Sequence, residues 1–400
     1  MELCSGPAHL ISEALSKFDL VFGSIANATV YAPGRVELLG NHTDYNEGLV
    51  LAAAIDRFTV VVGHLIDEPL AEIHSMAFES TDRVNLGIDE IDPGQESAWS
   101  RYSRGVIWAM REKLPPGKGF RAVIHGNIPL GAGLSSSASL QVAIGLFILK
   151  ISGQTISDEE ARMALARRLR RAENGFVGVA SGLLDFVSVL FGEPGKAVFL
   201  DCRTLEVRKA NMDPEPPALV VMDSGTSRKL ADGMYNIRRG ECERIVDYFR
   251  RQKSVAEVHS LRDVTPEELS QHWKYLDPVG RLRARHVLLE NNRVREGILA
   301  LESGDLEEFG RLVSRSHRSS MTDFQNSSEA LDQLVAAALG APGCLGAKLS
   351  GAGWAGCVVA IVRDQEVEEF QAWCENCYET VMGLKPVIYV AKSSGCSTYH

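Results

Sequence analysis

The chain has 400 residues, 45% of them hydrophobic and 24% charged, with a formal net charge of −10. That length exceeds one ordinary core and implies two domains, and the composition is that of a soluble globular protein. The acidity argues against a general nucleic-acid binder, and no apolar run approaches the roughly 18 residues of a membrane span.

The N-terminus, through residue 18, reads as an amphipathic helix without the basic flank of a signal peptide, so cytoplasm is the expected compartment. Strands are expected over residues 28–34, 49–55 and 58–66. Between the first two lies GRVELLGNHTDYN, which crowds Arg35, Asn41, His42, Asp44 and Asn46 into a turn that needs almost none of them. FRAVIHG (120–126) alternates as a half-buried strand does.

GNIPLGAGLSSSASLQVA (126–143) follows, three glycines and three consecutive serines running into an apolar helix over 139–151. Glycine lets backbone N–H groups approach an anion, and a helix N-terminus carries partial positive charge. The hydroxyls could also ligate Mg²⁺, a hard oxygen-seeking cation. It is not a P-loop, since no G-x4-G-K-[ST] occurs, and a plain helix-capping turn is the alternative.

Ser157 and Glu160 form a capping box ahead of the helix DEEARMALARRLRRAEN. Next, AENGFVGVASGLLDFVSVLFG (172–192) carries Glu173 and sets Asp185 inside an apolar run. A carboxylate there is costly unless paired or functional, though it could simply cap a helix. Strands are expected over 197–201 and 217–223, with a domain boundary near 205–216, where Pro214, Pro216 and Pro217 cluster. Of Arg228, Lys229, Arg238 and Arg239 in RKLADGMYNIRRGECE, most read as a solvated basic face.

Residues 228–340 are mostly helical, with a capping box at Thr265 and Glu268. LSGAGWAGC (349–357) joins strands over 347–351 and 357–362 and holds more glycine than a short hairpin needs. Close approach of its backbone to a phosphate or to the first glycine loop explains the surplus, with a wide hairpin loop as the alternative. A helix and a last strand (387–391) complete an α+β chain. The eight cysteines are scattered and read as reduced thiols; Cys374 and Cys377 form a lone C-x-x-C without the second ligand pair of a zinc site.

GRVELLGNHTDYN, IPLGAGLSSSASL, SGLLDF and KLSGAGWAGC, with MYNIRRGECE and SRSHRSSMTDFQNSSEALD, resemble the signatures of the galactokinase branch of the GHMP small-molecule kinases. They occur in that family's order over about residues 28–363. The resemblance implies an α+β, two-domain GHMP kinase fold. An N-terminal ribosomal-protein-S5-like α/β domain (1–210) would hold the sugar site, phosphate loop and catalytic Asp. A C-terminal ferredoxin-like α+β domain (211–400) would hold the glycine loop 351–356.

The implied reaction moves the ATP γ-phosphoryl group to the anomeric hydroxyl of a galactose-type sugar. By resemblance, Asp185 is the general base and Arg35 the cation beside it. Asn41, His42, Thr43, Asp44 and Tyr235 are the sugar contacts. Gly131, Ala132, Gly133, Leu134, Ser135, Ser136 and Ser137, with Gly351 and Gly353, bind ATP, and Ser137 and Glu173 ligate Mg²⁺. The implied partners are ATP and a small-molecule sugar, without nucleic acid or membrane, in a monomer or weak oligomer.

Two departures bear on the substrate. The family usually reads G-E-H-T-D, with an acid facing the sugar C6 hydroxyl, where this chain has Asn41; Phe186 also replaces the usual glutamine after Asp185. An amide donates as well as accepts, and a desolvated Glu would repel a carboxylate at C6 by several kcal/mol. A sugar altered at C6 follows as an expectation, galacturonate first and L-arabinose second, with galactose competing; SAWSRYSRGVIWAM (97–110) and SGDLEEFGRLVS (303–314) also resemble the galacturonokinase subgroup. A catalytically silent galactose/ATP sensor of the same family is the other-class alternative, disfavoured by the intact SSSAS.

Overall fold

The computed structural model describes residues 6–88, 90–93, 98–156, 158–179, 181–212, 216–226, 233–252 and 258–396. After helix α1 (Ala8–Phe22), strand β1 (Ala28–Leu39) pairs antiparallel with β2 (Leu49–Ile66). The two strands expected over 49–66 are one. The polar pair Asp56 and Arg57 looked like a break, but its groups bond to the far end of the chain: Asp56 N donates to Lys392 O (3.0 Å) and Arg57 Nη2 to Val390 O (3.2 Å). β1 also runs past residue 34 to Leu39, which sets Arg35 and Glu37 on one face of a strand, opposite Ala54 and Ala52.

The first sheet adds β3 (Leu70–Ser75), β4 (Ser80–Asn85), β5 (Gly119–Gly126), β6 (Lys196–Asp201) and β7 (Val207–Asn211), in the order β4-β3-β5-β2-β6-β7. The β3–β4 hairpin is absent from the sequence expectation. Helices α2 (Ala98–Met110), α3 (Ser136–Ile151), α4 (Glu159–Ala172) and α5 (Leu184–Phe191) belong to this half, with α3 packed on β1 and β2. α3 is apolar nearly all round because it is buried nearly all round. α4 is capped by Asp158, whose carboxylate accepts from Ala161 N at 2.8 Å. Ser157, the expected cap, lies outside the described residues.

The second sheet, β11-β8-β10-β9, comprises β8 (Ala218–Asp223), β9 (Cys344–Leu349), β10 (Cys357–Val362) and β11 (Val387–Ala391), all antiparallel. Around it lie α6 (Met234–Gln252), α7 (Pro266–His272), α8 (Pro278–Glu302), α9 (Leu306–Ser319), α10 (Glu329–Leu339) and α11 (Val367–Met382). The Thr265–Glu268 capping box opens α7 as expected. No helix among the described residues is long and apolar enough to cross a membrane.

One apolar cluster joins the sheets. Val36 and Leu38 of β1 and Ile128 and Leu134 of the serine loop pack with Val221, Val359, Val294 and Phe309. The face of β1 opposite Arg35 and Glu37 is thereby packed into the core.

Candidate functional site

A cavity of about 620 Å³ opens between the two sheets. β1 contributes Arg35 and Glu37 to its lining, the turn after it Asn41, His42 and Asp44, and α5 Asp185. At its centre, Asp185 Oδ1 accepts from Arg35 Nε at 2.7 Å and Nη2 at 2.5 Å, and Oδ2 accepts from Ser135 Oγ at 2.7 Å. Asp185 is in the first turn of α5, yet its oxygens are taken by these partners, so it is not a helix cap. Arg35 Nη1 donates to Gly133 O (2.7 Å) and Arg35 N to Leu134 O (3.1 Å), which straps the serine loop onto β1.

Of that loop, Gly131, Gly133, Ser135, Ser136 and Ser137 reach the cavity, while Ala132 and Leu134 are buried and anchor it. Ser135 sits at φ 55°, a left-handed conformation uncommon outside glycine, and its side chain caps nothing. The first amides of α3 therefore face the cavity without a side-chain partner, a ready anion site. Gly351 and Gly353, both at positive φ, lie in the hairpin loop between β9 and β10, and a Cβ at Gly351 would stand 3.7 Å from Gly133 O, so this loop abuts the serine loop.

Glu173 is 5% exposed, in a π-turn after α4. Burial, together with the Asp185 charge, pushes its carboxyl up to about 7 against hydrogen bonds from Ser181 and Gln141. It has no cationic partner among the described residues, and Gln141 Oε1 beside it is buried without a donor. The Ser137 hydroxyl and the Glu173 carboxylate both line the cavity and are oxygen donors of the kind a hard divalent cation takes, and among the described residues Glu173 has no cation to balance it. Tyr102, not among the expected site residues, meets the Ser137 side chain; burial first, then the charge of Glu173, raises its phenol.

The sugar-facing expectations divide. Asp44 and Tyr235 line the cavity; burial pushes Asp44 up to about 6, and the charges of Glu37 and Asp185 add to it. His42 also lines it but is locked, Nδ1 against Tyr45 OH and Nε2 against Ala352 O, both at 2.9 Å, and burial holds it neutral near 3. Thr43 is a correction: its buried hydroxyl lies 2.7 Å from both Gly40 O and Leu49 O, its one proton shared between these acceptors, and closes the turn instead of facing a ligand.

Asn41 is the second correction. Its Nδ2 donates to Glu37 Oε1 (3.0 Å) and Gly351 O (2.8 Å), and its Oδ1 accepts from Asn326 Nδ2 (2.8 Å) and Ser320 Oγ (3.3 Å). Every hydrogen-bonding position of the amide is taken by protein. Its backbone is held too, with the N–H directed at Glu290 Oε1 (3.3 Å) and the carbonyl at His286 Nε2 (2.9 Å). Glu290 is fully buried; burial raises its carboxyl, but Arg293, His286, Lys348 and Ser316 together bring it down to about 2.

Arg238 is an exception to the solvated basic face. It is 6% exposed, donating to Phe324 O and Gln325 O at 2.9 Å and facing Trp354, while Arg239 is half-buried. Arg228 and Lys229 lie outside the described residues.

Beyond Ser136 and Ser137 is a second, more apolar cavity of about 280 Å³, walled by Phe78, Trp99, Ile124, Ile128 and Leu140. Phe78 and Trp99 lie parallel, their ring centroids 6.2 Å apart. Tyr102, Ser136 and Ser137 line both cavities, so the two are contiguous.

Three sequence signatures match the chain: "Galactokinase galactose-binding signature" over residues 16–64, "GHMP kinases N terminal domain" over 101–193 and "GHMP kinases C terminal" over 298–379. The galactokinase of Roseiflexus sp. (strain RS-1) is 38% identical over 382 residues, 96% of this chain and 95% of that one. The chain belongs to the galactokinase family. A second family member, the galactokinase of Exiguobacterium sibiricum, is 36% identical over 94% of each chain. The crystal structure of Lactococcus lactis galactokinase complexed with galactose superimposes at a TM-score of 0.88, with 31% identity, covering 98% of this chain and 100% of that one. A mevalonate kinase shares the fold at a TM-score of 0.65 and 17% identity. The GHMP kinase fold and sugar-kinase class expected from the motifs are thus those of this family's chains.

Proposed function

We propose that this galactokinase-family chain transfers the γ-phosphoryl group of ATP to the anomeric hydroxyl of galactose. The observation that carries the reading is the Arg35–Asp185–Ser135 cluster at the uncapped N-terminus of α3, facing Asp44 and Tyr235. Asp185 accepts the proton of the sugar hydroxyl, and Arg35 orients that carboxylate and offsets charge on the transferred group. Phosphoryl transfer needs little covalent chemistry from protein, so positioning and charge stabilisation are most of the catalysis. The α3 amides, Gly131, Gly133, Ser136, Gly351 and Gly353 hold the phosphates, and the second cavity takes the nucleobase between apolar walls.

Ser137 and Glu173 would hold Mg²⁺, which supplies neutralisation of phosphate charge when bound. The division into domains over 1–210 and 211–400 goes with this reading. Its support is that β7 ends in the first sheet at Asn211 and β8 begins in the second at Ala218. A cytoplasmic monomer or weak oligomer, where ATP is supplied, is part of the same proposal.

With the Asn41 amide saturated, its loss of charge no longer favours a C6-altered sugar, and galactose takes precedence. The intact loop hydroxyls and Asp185 work against a silent sensor. The test is ATP consumption by purified protein over galactose, galacturonate, N-acetylgalactosamine and L-arabinose. Turnover on galactose is expected; sugar binding without any turnover would return the sensor reading.

A further inference from the structure

Asn41 stands where the family pattern has an acid, and a different acid, Glu37, lines the same cavity. Glu37 stands two residues beyond Arg35 on the same face of β1, about 7 Å further along the cavity, roughly the span of a hexose from its reacting hydroxyl to its far substituents. It is 4% exposed and lines the cavity with Asp44 and Tyr235. One of its oxygens is fixed: Oε1 accepts from Asn41 Nδ2 at 3.0 Å and from Lys348 Nζ at 2.7 Å. Lys348, on β9, is completely buried and so acts as an immobile counter-charge. The other oxygen, Oε2, accepts from no donor among the described residues and is not sealed in protein, which leaves it open to the cavity. The Glu37 charge is felt by both neighbours in the pocket, adding to the burial that raises Asp44 and Tyr235.

We infer that Glu37, held in place by Lys348 and Asn41, is the specificity-determining acid that accepts a hydrogen bond from the sugar's C6 hydroxyl and limits the enzyme to neutral hexoses. The inference rests on the galactose reading above. An ionised carboxylate is an acceptor only, so it favours a hydroxyl donor and repels a uronate carboxylate. Lys348 cannot rescue the uronate, because its ammonium is completely buried and already paired with Glu37. Asn41 then has a positioning part: its amide aims Glu37 and ties it to the Gly351 carbonyl.

The experiment compares kcat/KM for galactose and 6-deoxygalactose, which lacks only the C6 hydroxyl, in the wild type and in Glu37→Gln. Because the single variant strands a buried lysine, Glu37→Gln/Lys348→Met is measured beside it to remove both charges together. The wild type is expected to prefer galactose by about ten- to a hundredfold, as for a hydrogen bond to a charged group. In either folded variant that preference should fall at least fivefold, through KM for galactose more than through kcat. Galacturonate should not be turned over by the wild type.

A wild-type preference near one, an unchanged preference in a folded variant, or turnover of galacturonate comparable with galactose would each overturn the assignment. Wild-type protein inactive on every neutral hexose would instead overturn the galactose reading and take the inference with it.

Discussion

Asp44→Asn separates the stability of the fold from the use of the pocket. In the unfolded chain the Asp44 carboxyl ionises near its ordinary 3.8, whereas burial, aided by Glu37 and Asp185, raises it to about 6 in the folded protein. Between those values the folded state keeps a proton that the unfolded state has lost, so rising pH favours unfolding. The cost grows from about pH 4 to pH 6 and is constant above. Two pH units correspond to roughly 3 kcal/mol as a ceiling, of which about 1 kcal/mol develops between pH 5 and pH 7.5. Asn cannot ionise, so the variant should be the more stable protein at neutral pH, by a margin about 1 kcal/mol larger at pH 7.5 than at pH 5. Urea denaturation of both proteins at the two pH values measures this. A margin that is equal at both, or that shrinks toward pH 7.5, would refute the reasoning. The same variant should bind galactose about ten- to a hundredfold more weakly, because a charged acceptor has become a neutral one.

Asp185→Asn should lose kcat by several orders of magnitude while its unfolding curve stays within about 1 kcal/mol of wild type, since Arg35 and Ser135 can still meet the amide; kcat within tenfold of wild type would exclude Asp185 as the base. Glu290→Ala leaves Arg293 buried beside an empty site and strips the Gly40 and Asn41 amides of their acceptor. A loss of about 3–5 kcal/mol in urea is expected, and one below 1 kcal/mol would contradict the geometry. Gly353→Ala puts a Cβ 2.0 Å from Asn326 O at φ 88°, so the glycine loop must shift. KM for ATP should rise about tenfold with galactose KM less affected, and an unchanged ATP KM would remove this loop from the nucleotide site.

Legibility in the sequence followed distance along the chain. The serine loop, the glycine loop and the Thr265–Glu268 cap were readable because each signal and its cause lie within a few residues. Arg238 looked like a solvated helix face, since its acceptors, the carbonyls of Phe324 and Gln325, are more than 80 residues away. Asn41 looked like a substrate contact for the same reason, as its neighbours Asn326 and Gly351 are recruited from the second half. Glu37 carried one signal that was there to use, an acid two places after Arg35 on an inward strand face, but its partner Lys348 is 311 positions distant. Asp56 and Arg57 read as a strand break because the closing contacts come from residues 390 and 392.

The turn at residues 40–43 is moulded by groups that a ribosome delivers hundreds of residues later: His286, Glu290, Asn326 and Gly351. A nascent chain with its first sheet complete would own Arg35 and Asp185 yet lack a shaped place for the sugar. Substrate recognition is therefore among the last properties acquired in synthesis. Galactose added during refolding should protect native molecules without speeding the early steps of their formation.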